Sequence, residues 1–288
     1  MSNSLWIILA SFLVAANAGL LGNFLILRKQ AMIGDAISHA VLPGLAIAFI
    51  VTNSTSPVVL FVGAALAGMG ATLLIGFFED KLGIGADVAI GITFTTFFAL
   101  GIILISLYTQ KVDLDQQCVL YGHPVLIPFD VWVYGGKVMG PKAIYSLLVL
   151  LLANSFFVAF YYRTLVITSF DPHFANVIGI RMHYVHYLLM FFTALTTVVA
   201  FKIVGAVLVV AFLVVPTATA YLLTDQLKWM IFYTLVIDIW VTCLGYYLAV
   251  CLEGSVAGAM GTVAGGAFLL TLGVTSRRRR RQSLHGES

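Results

Sequence analysis

The chain is predicted to fold as an all-α, polytopic membrane bundle of about eight or nine transmembrane helices. Hydrophobic residues make up 61% of its 288 residues and charged residues only 9%, and the mean hydropathy is +1.05. Soluble domains carry about 25% charged residues, so this composition indicates an integral membrane protein. The apolar residues are also grouped into runs of about 20, the length that crosses a bilayer as a helix.

The first apolar run, residues 5–27, is predicted to be a membrane span rather than a cleaved signal peptide. No basic residue precedes this run, and the run is long. Arg28 and Lys29 follow it directly, which is typical of a stop at the cytoplasmic face. We therefore treat residues 5–27 as the first helix.

Eight further apolar runs follow the first one. Their predicted bounds are 35–52, 57–78, 88–108, 142–162, 184–201, 203–223, 229–252 and 255–275. The short pair at 184–201 and 203–223 has almost no connector, so it contains either two full spans or a re-entrant piece. A weaker tenth run at 125–134 is too short and too interrupted by polar residues and proline to cross the membrane.

Basic residues indicate the orientation of the chain. Five consecutive arginines, Arg277 to Arg281, follow the last span, and the positive-inside rule places them in the cytoplasm. Nine spans then put the N-terminus outside, whereas eight or ten would put it inside. We expect residues 1–276 to form one permease domain and residues 277–288 a basic cytoplasmic tail. This tail is interpreted as an anchor on anionic lipid, with contact to a partner or RNA as the alternative.

The connection formed by residues 109–141 is the longest predicted external loop. It offers either a docking surface for a soluble partner or a solvated cap over a pore. His123, together with Asp113 or Asp115, has the donor types for weak metal binding.

The most informative polar feature is the string GDAISHAVLPG at residues 34–44. Asp35 and His39 are four residues apart and share one face of a helix, and their carboxylate and imidazole suit divalent transition metals. Pro43 has no N–H, so the carbonyl of His39 loses its helical partner and marks the same wet face. The flanking glycines allow close backbone approach or a break in the helix. The alternative is a helix start with Asp35 near the cap and His39 among lipid headgroups.

A divalent metal site needs more than these two ligands, since zinc usually takes four. A two-fold dimer with this segment at its axis would supply two Asp and two His.

Two further intramembrane positions are candidates for a pathway. Asp238 lies near the middle of span 229–252, where an unpaired charge is costly, so it is protonated, paired or facing a cavity. Pro216 is predicted to kink its helix and release the carbonyl of Phe212, either for packing or for an ion path. Asn17 and Asn23 are expected to form hydrogen bonds between helices rather than to bind metal.

A short amphipathic helix is predicted in the cytoplasmic loop that follows residue 163. Asp171 can cap a helix whose first residue is Pro172, and Gly179 can end it. Phe174, together with Val177 and Ile178, gives this helix one apolar face. Such a helix either lies on the membrane or docks in the groove of a motor protein. The chain has no GxxxxGK[ST] phosphate loop, so we expect no ATPase activity of its own.

Three segments resemble the permease subunits of the manganese/zinc/iron ABC importers, the ABC-3 family. They are residues 34–44, residues 170–179, and residues 202–206 running on to Pro216. The resemblance implies a permease fold similar to that of the vitamin B12 importer, with fewer helices. It also implies a homodimer or paired permease, two cytoplasmic ATPases and an extracytoplasmic metal-binding protein, in a bacterial plasma membrane.

The same resemblance implies roles for individual residues. Asp35 and His39 are expected to line the ion path. The segment expected to couple to the ATPase includes Phe170, Asp171, Pro172, Phe174 and Gly179. His173 departs from the family pattern, which usually has an acidic residue after Asp-Pro, and His123 departs in the same way after Tyr-Gly.

The predicted function is alternating-access import of Mn²⁺, Zn²⁺ or Fe²⁺, with ATP hydrolysed by separate subunits. The ion is a substrate, and no permanently bound cofactor is expected. The alternative is a proton-coupled secondary carrier that uses the same Asp and His, with Asp238 as a proton relay. No intramembrane enzyme motif such as HExxH is present, and no binding of nucleic acid is expected.

Overall fold

The computed structural model describes residues 3–54, 56–108, 127–128, 131–134 and 137–285. Nine helices within these ranges are long and apolar enough to cross a membrane, as the hydropathy pattern predicts. In chain order the elements are α1 Asn3–Leu27, α2 Ile33–Thr52, α3 Pro57–Leu82, α4 Ala86–Tyr108, β1 Val131–Tyr134, β2 Lys137–Pro141, α5 Lys142–Phe170, α6 Pro172–Val177, α7 Met182–Val204, α8 Ala206–Leu223, α9 Leu227–Cys251 and α10 Val256–His285. All helices except α6 belong to the nine.

The bundle has two packed groups. Helix α1 packs against α5, α8 and α9, and its Phe24 is fully buried together with Phe212 of α8. Helix α2 packs mainly against α3 and α4. Strands β1 and β2 form an antiparallel hairpin on the connection between α4 and α5. The predicted external loop residues Asp113, Asp115 and His123 lie outside the described residues.

The short pair of spans consists of two separate helices, each long and apolar enough to cross a membrane. Helices α7 and α8 are separated only by Gly205, whose φ is +84°. This backbone conformation favours glycine, so the chain passes from α7 to α8 through that single residue. Helix α8 continues through Pro216 to Leu223 without a break.

Two helices, α5 and α10, extend furthest beyond the bounds predicted from hydropathy. Helix α5 ends at Phe170 instead of residue 162, because Leu165 is fully buried and the hydroxyls of Thr168 and Ser169 accept hydrogen bonds from Arg28. Helix α10 continues to His285. The described part of the predicted tail is therefore a continuation of the last helix.

Buried amides join α1 to its neighbours, as predicted for Asn17 and Asn23. Asn154 of α5 donates to Asn17 Oδ1 at 2.9 Å and to Thr196 Oγ1 of α7 at 2.9 Å. Thr234 of α9 donates to Asn23 Oδ1 at 3.1 Å. These bonds fix helices that have no hydrophobic driving force between them in lipid.

Candidate functional site

Asp35 and His39 lie on one face of the first two turns of α2. His39 Nε2 is 3.5 Å from Asp35 Oδ1, an ion-pair distance rather than a tight hydrogen bond. The side chain of His39 is 20% exposed and that of Asp35 is 35% exposed. Asp35 is in the first turn, where a carboxylate is favoured by the helix dipole, but it is not the cap residue, which is Met32. The pair is therefore partly accessible from outside the single chain.

Two phenylalanines of α4 hold the imidazole of His39. Its ring centroid lies 4.6 Å from that of Phe94 and 4.9 Å from that of Phe98, and both contacts are edge-to-face. The two phenyl rings are nearly parallel, at 10° to each other. Aromatic pairs prefer such edge-to-face geometry, so these contacts restrict the rotamer of His39. The i, i+4 spacing of Phe94 and Phe98 can be read from the sequence, but their contact with His39 on another helix cannot.

Close backbone contacts position α2 around this pair. A Cβ atom on Gly34 would lie 2.7 Å from Leu213 Cδ2 of α8. A Cβ atom on Gly101 of α4 would lie 3.0 Å from the nitrogen of Pro43. Helix α2 runs continuously through Pro43. Gly44, next to Pro43, serves close approach between helices, because a Cβ atom there would lie 2.5 Å from the carbonyl oxygen of Gly63 in α3. The alternative of a break in the helix does not occur.

The pair is an incomplete ligand set in one chain. No group of three His, Cys, Asp or Glu side chains comes together anywhere in the described ranges. Two ligands leave most coordination positions of a divalent ion unfilled. The described residues of one copy therefore do not form a complete coordination shell around the ion. The arrangement suits transient binding, or a site that a second molecule completes.

Asp238 is separate from this pair and lies in the tightly packed contact between α9 and α1. Its side chain is 0% exposed, and neither carboxyl oxygen has a hydrogen-bond partner among the described residues. A Cβ atom on Gly19 would lie 2.8 Å from Asp238 Oδ2, so α1 covers the carboxyl group directly. Because a partnerless carboxylate ion is very costly here, we infer the neutral acid. Whether Asp238 lines a pathway stays a prediction.

Helix α6 has the cap and the exposed apolar face that its sequence predicts. Asp171 Oδ1 accepts a hydrogen bond from the backbone N–H of Phe174 at 2.9 Å, and Pro172 occupies the first turn. Gly179 follows the helix with a φ of +77°. The side chains of Phe174, Val177 and Ile178 are exposed, Val177 by 84%. Phe170, the last residue of α5, is exposed beside them. The side chain of His173 lies outside the described residues.

A polar cavity of about 500 Å³ lies at the same end of the bundle as α6. Residues 28–30 and residues from α3, α5, α6 and α7 line it, among them Glu79, Asn176 and His186. Gln30 Nε2 donates to both carboxylate oxygens of Glu79, at 2.9 and 3.3 Å. The turn between α1 and α2 is thereby tied to the end of α3. Hydropathy patterns contain no information on this cavity.

Arg28 ties the same turn to the end of α5. Its Nη2 donates to Thr168 Oγ1 at 2.8 Å and its Nε to Ser169 Oγ at 3.1 Å. Burial lowers the pKa of Arg28 to about 10, so the guanidinium stays positive at neutral pH. The sequence identified Arg28 only as a topology signal.

Comparison with known proteins places these features in one family. The model of the ABC 3 transport family matches residues 2–275. The manganese transport system membrane protein MntD of Bacillus subtilis is 42% identical over 265 residues, which cover 92% of this chain and 90% of MntD. The zinc transport system membrane protein TroD of Treponema pallidum is 35% identical over 269 residues, covering 92% of this chain and 72% of TroD.

A solved structure has the same fold. It is that of PsaBC from Streptococcus pneumoniae in complex with Fab, with a TM-score of 0.74 and 33% sequence identity. The match covers 92% of this chain and 89% of the solved chain. The predicted all-α permease fold is confirmed.

Proposed function

Because the chain belongs to the ABC 3 transport family, we propose that it is the permease subunit of an ATP-driven importer of divalent transition-metal ions. The observation that carries this proposal is the Asp35–His39 pair near the start of a membrane helix, 3.5 Å apart and partly exposed. Ionisable pairs at such positions typically mark ion pathways. The names of MntD and TroD make Mn²⁺ and Zn²⁺ the first cargoes to test, and Fe²⁺ the third.

The ion is a transient substrate of this pair. Two identical permease copies meeting at the accessible face of α2 would bring two Asp and two His together, which is enough for a divalent ion. A site that must release its ion benefits from loose geometry. Pro43 and Pro216 remain candidates for the path, because each leaves one helical carbonyl without its N–H partner.

ATP is hydrolysed by separate cytoplasmic subunits. The chain has no phosphate loop, and α6 presents Phe174, Val177 and Ile178 as an exposed apolar face. A short helix with such a face fits a groove on a partner protein. ATP binding and hydrolysis in an ATPase docked there would switch the permease between its outward-open and inward-open states.

The proposed setting is a bacterial plasma membrane with the C-terminus in the cytoplasm. The five arginines after the last span support this orientation by the positive-inside rule. Nine spans then place the connection between α4 and α5 outside, where an extracytoplasmic metal-binding protein would deliver the ion. Anionic lipid would hold the basic tail.

The test is uptake of radioactive Mn²⁺ and Zn²⁺ by proteoliposomes that contain the permease, its ATPase and the binding protein. We expect ATP-dependent accumulation by the wild type. Asp35→Ala and His39→Ala should abolish it while the complex still assembles. Asp87→Ala is the matched control, because Asp87 is an exposed carboxylate in the first turn of α4.

Normal uptake by both site variants would reject the site. ATP-independent uptake that follows a proton gradient would reject the ATP-driven function and favour a secondary carrier.

A further inference from the structure

The turn between α1 and α2 is held from two sides by long-range side-chain bonds. Arg28 bonds to the last turn of α5, and Gln30 bonds to Glu79 near the end of α3. Residues 28–32 lead directly into α2, which carries Asp35 in its first turn. Any displacement of this turn therefore acts on the start of the helix that holds the Asp35–His39 pair.

The other end of the Arg28 bonds leads directly to α6. Thr168 and Ser169 are followed by Phe170, the last residue of α5, and by Asp171, the cap of α6. No flexible linker separates these elements. Asn176 of α6 also lines the cavity that Arg28 lines. Arg28 is thus a short physical connection between α6 and α2.

The chemistry of the Arg28 bonds suits a link that moves. The hydroxyl groups of Thr168 and Ser169 accept its hydrogen bonds, at 2.8 and 3.1 Å. Hydrogen bonds from a charged donor are stronger than neutral ones, yet two neutral acceptors hold the guanidinium less firmly than a bidentate carboxylate would. A topology anchor alone would need no specific acceptors.

We propose that Arg28 is a positioning residue that transmits movement of α6 to α2, and so couples ATP hydrolysis to the Asp35–His39 pair. This inference rests on the proposed function. When the ATPase shifts α6, the end of α5 moves with it, and Arg28 carries the turn at residues 28–32 along. Without Arg28, α6 would move while α2 stayed behind.

The first experiment compares Arg28→Gln with Lys29→Gln in the complete transporter. Both variants remove one positive charge from the same turn, but the side chain of Lys29 is exposed, whereas that of Arg28 is bonded to the end of α5. Arg28→Gln should lower the number of ions carried per ATP hydrolysed by about tenfold or more, since loss of each of its two charged hydrogen bonds corresponds to a change of about that size. Lys29→Gln should leave this ratio near the wild-type value.

Removal of the acceptors provides a second test of the same link. Thr168→Val combined with Ser169→Ala should reproduce the Arg28→Gln phenotype, and adding Arg28→Gln should make it no worse. Additive losses would overturn the proposal, because independent effects do not define one shared interaction. A purely structural role would lower uptake and ATP hydrolysis together and leave their ratio unchanged, which would overturn it too.

A fluorescence measurement separates failure of this proposal from failure of the proposed function. To report on α6 and on the start of α2, an environment-sensitive fluorophore is attached to Arg181→Cys, which follows α6, or to Met32→Cys before α2, after replacing Cys118, Cys243 and Cys251 by Ser. Both positions are exposed, and neither belongs to the apolar face proposed to dock with the ATPase. ATP should change both signals in the wild type and only the α6 signal in Arg28→Gln. A change at both positions in that variant would overturn the role of Arg28, whatever cargo the transporter carries.

Discussion

Gly44 of α2 and Gly63 of α3 are in direct backbone contact. A Cβ atom on Gly44 would lie 2.5 Å from the carbonyl oxygen of Gly63, and a Cβ atom on Gly63 would lie 2.5 Å from that of Gly44. Small residues that allow close helix contact are the usual packing element within membranes. This contact fixes α2, and with it the Asp35–His39 pair, against α3.

Gly44→Ala and Gly63→Ala should therefore destabilise the permease. The added methyl group meets backbone, which cannot move aside as a flexible side chain can, so we expect a loss of about 1–3 kcal/mol. Thermal unfolding of the purified protein in detergent measures it. Gly70→Ala in α3 is the matched control, because nothing lies within 4 Å of its added Cβ atom. Equal melting temperatures for all three variants would contradict this packing.

Phe94→Ala and Phe98→Ala should impair transport by freeing the imidazole of His39. Loss of one edge-to-face contact costs about 0.5–1.5 kcal/mol, which predicts a rise in the KM for metal uptake of roughly 2- to 12-fold. Uptake at graded Mn²⁺ concentrations measures this change. Phe160→Ala is the control, since Phe160 of α5 is largely exposed and its ring contacts are with Phe156 and Tyr161. An unchanged KM in both variants would show that the rings do not position His39.

Features set by local sequence could be predicted best. Nine spans follow from run length and hydropathy. The shared face of Asp35 and His39 follows from their four-residue spacing, and the cap of α6 follows from Asp171 and Pro172. Each of these features involves residues within one or two helical turns, where geometry depends on the sequence alone.

Features set by helix packing could not be predicted. Arg28 and Thr168 are 140 residues apart in sequence, and hydropathy does not indicate which faces of two apolar helices meet. The end of α5 illustrates the difference. Arg163 suggests a membrane boundary, but the helix continues to Phe170 because its last turn has partners in another part of the chain.

Asp171→Ala should weaken binding of the ATPase. The cap hydrogen bond to the Phe174 N–H is lost, and loss of such a cap costs about 1 kcal/mol, or roughly a fivefold population change for a six-residue helix. Affinity between the permease and its ATPase in detergent measures it. Asp171→Asn keeps a side-chain oxygen acceptor and removes the charge, so it should bind like the wild type. If Asp171→Asn binds the ATPase as weakly as Asp171→Ala does, the charge of Asp171 and not its cap hydrogen bond governs the interface.

Asp238→Asn should leave stability and uptake near wild-type values. The carboxyl group is fully buried without a hydrogen-bond partner, so it is best described as a neutral acid, which an amide of the same shape can replace. Asp238→Ala should lower stability by about 1 kcal/mol through the cavity it leaves. Melting temperature and ion uptake distinguish the roles. Normal stability with lost uptake in Asp238→Asn would place this residue on the ion pathway instead.

Asn17 and Asn154 should behave as one energetic unit. Asn154 Nδ2 donates to Asn17 Oδ1 at 2.9 Å, while Asn17 Nδ2 donates to the carbonyls of Leu13 and Leu147. Hydrogen bonds between membrane helices contribute about 0.6 kcal/mol on average, with a maximum near 1.7. A double-mutant cycle with Asn17→Ala and Asn154→Ala should therefore give a coupling energy in that range, measured by denaturant unfolding in detergent. A coupling of zero would mean that each amide is satisfied by its other partners, Asn17 by the carbonyls of Leu13 and Leu147 and Asn154 by Thr196.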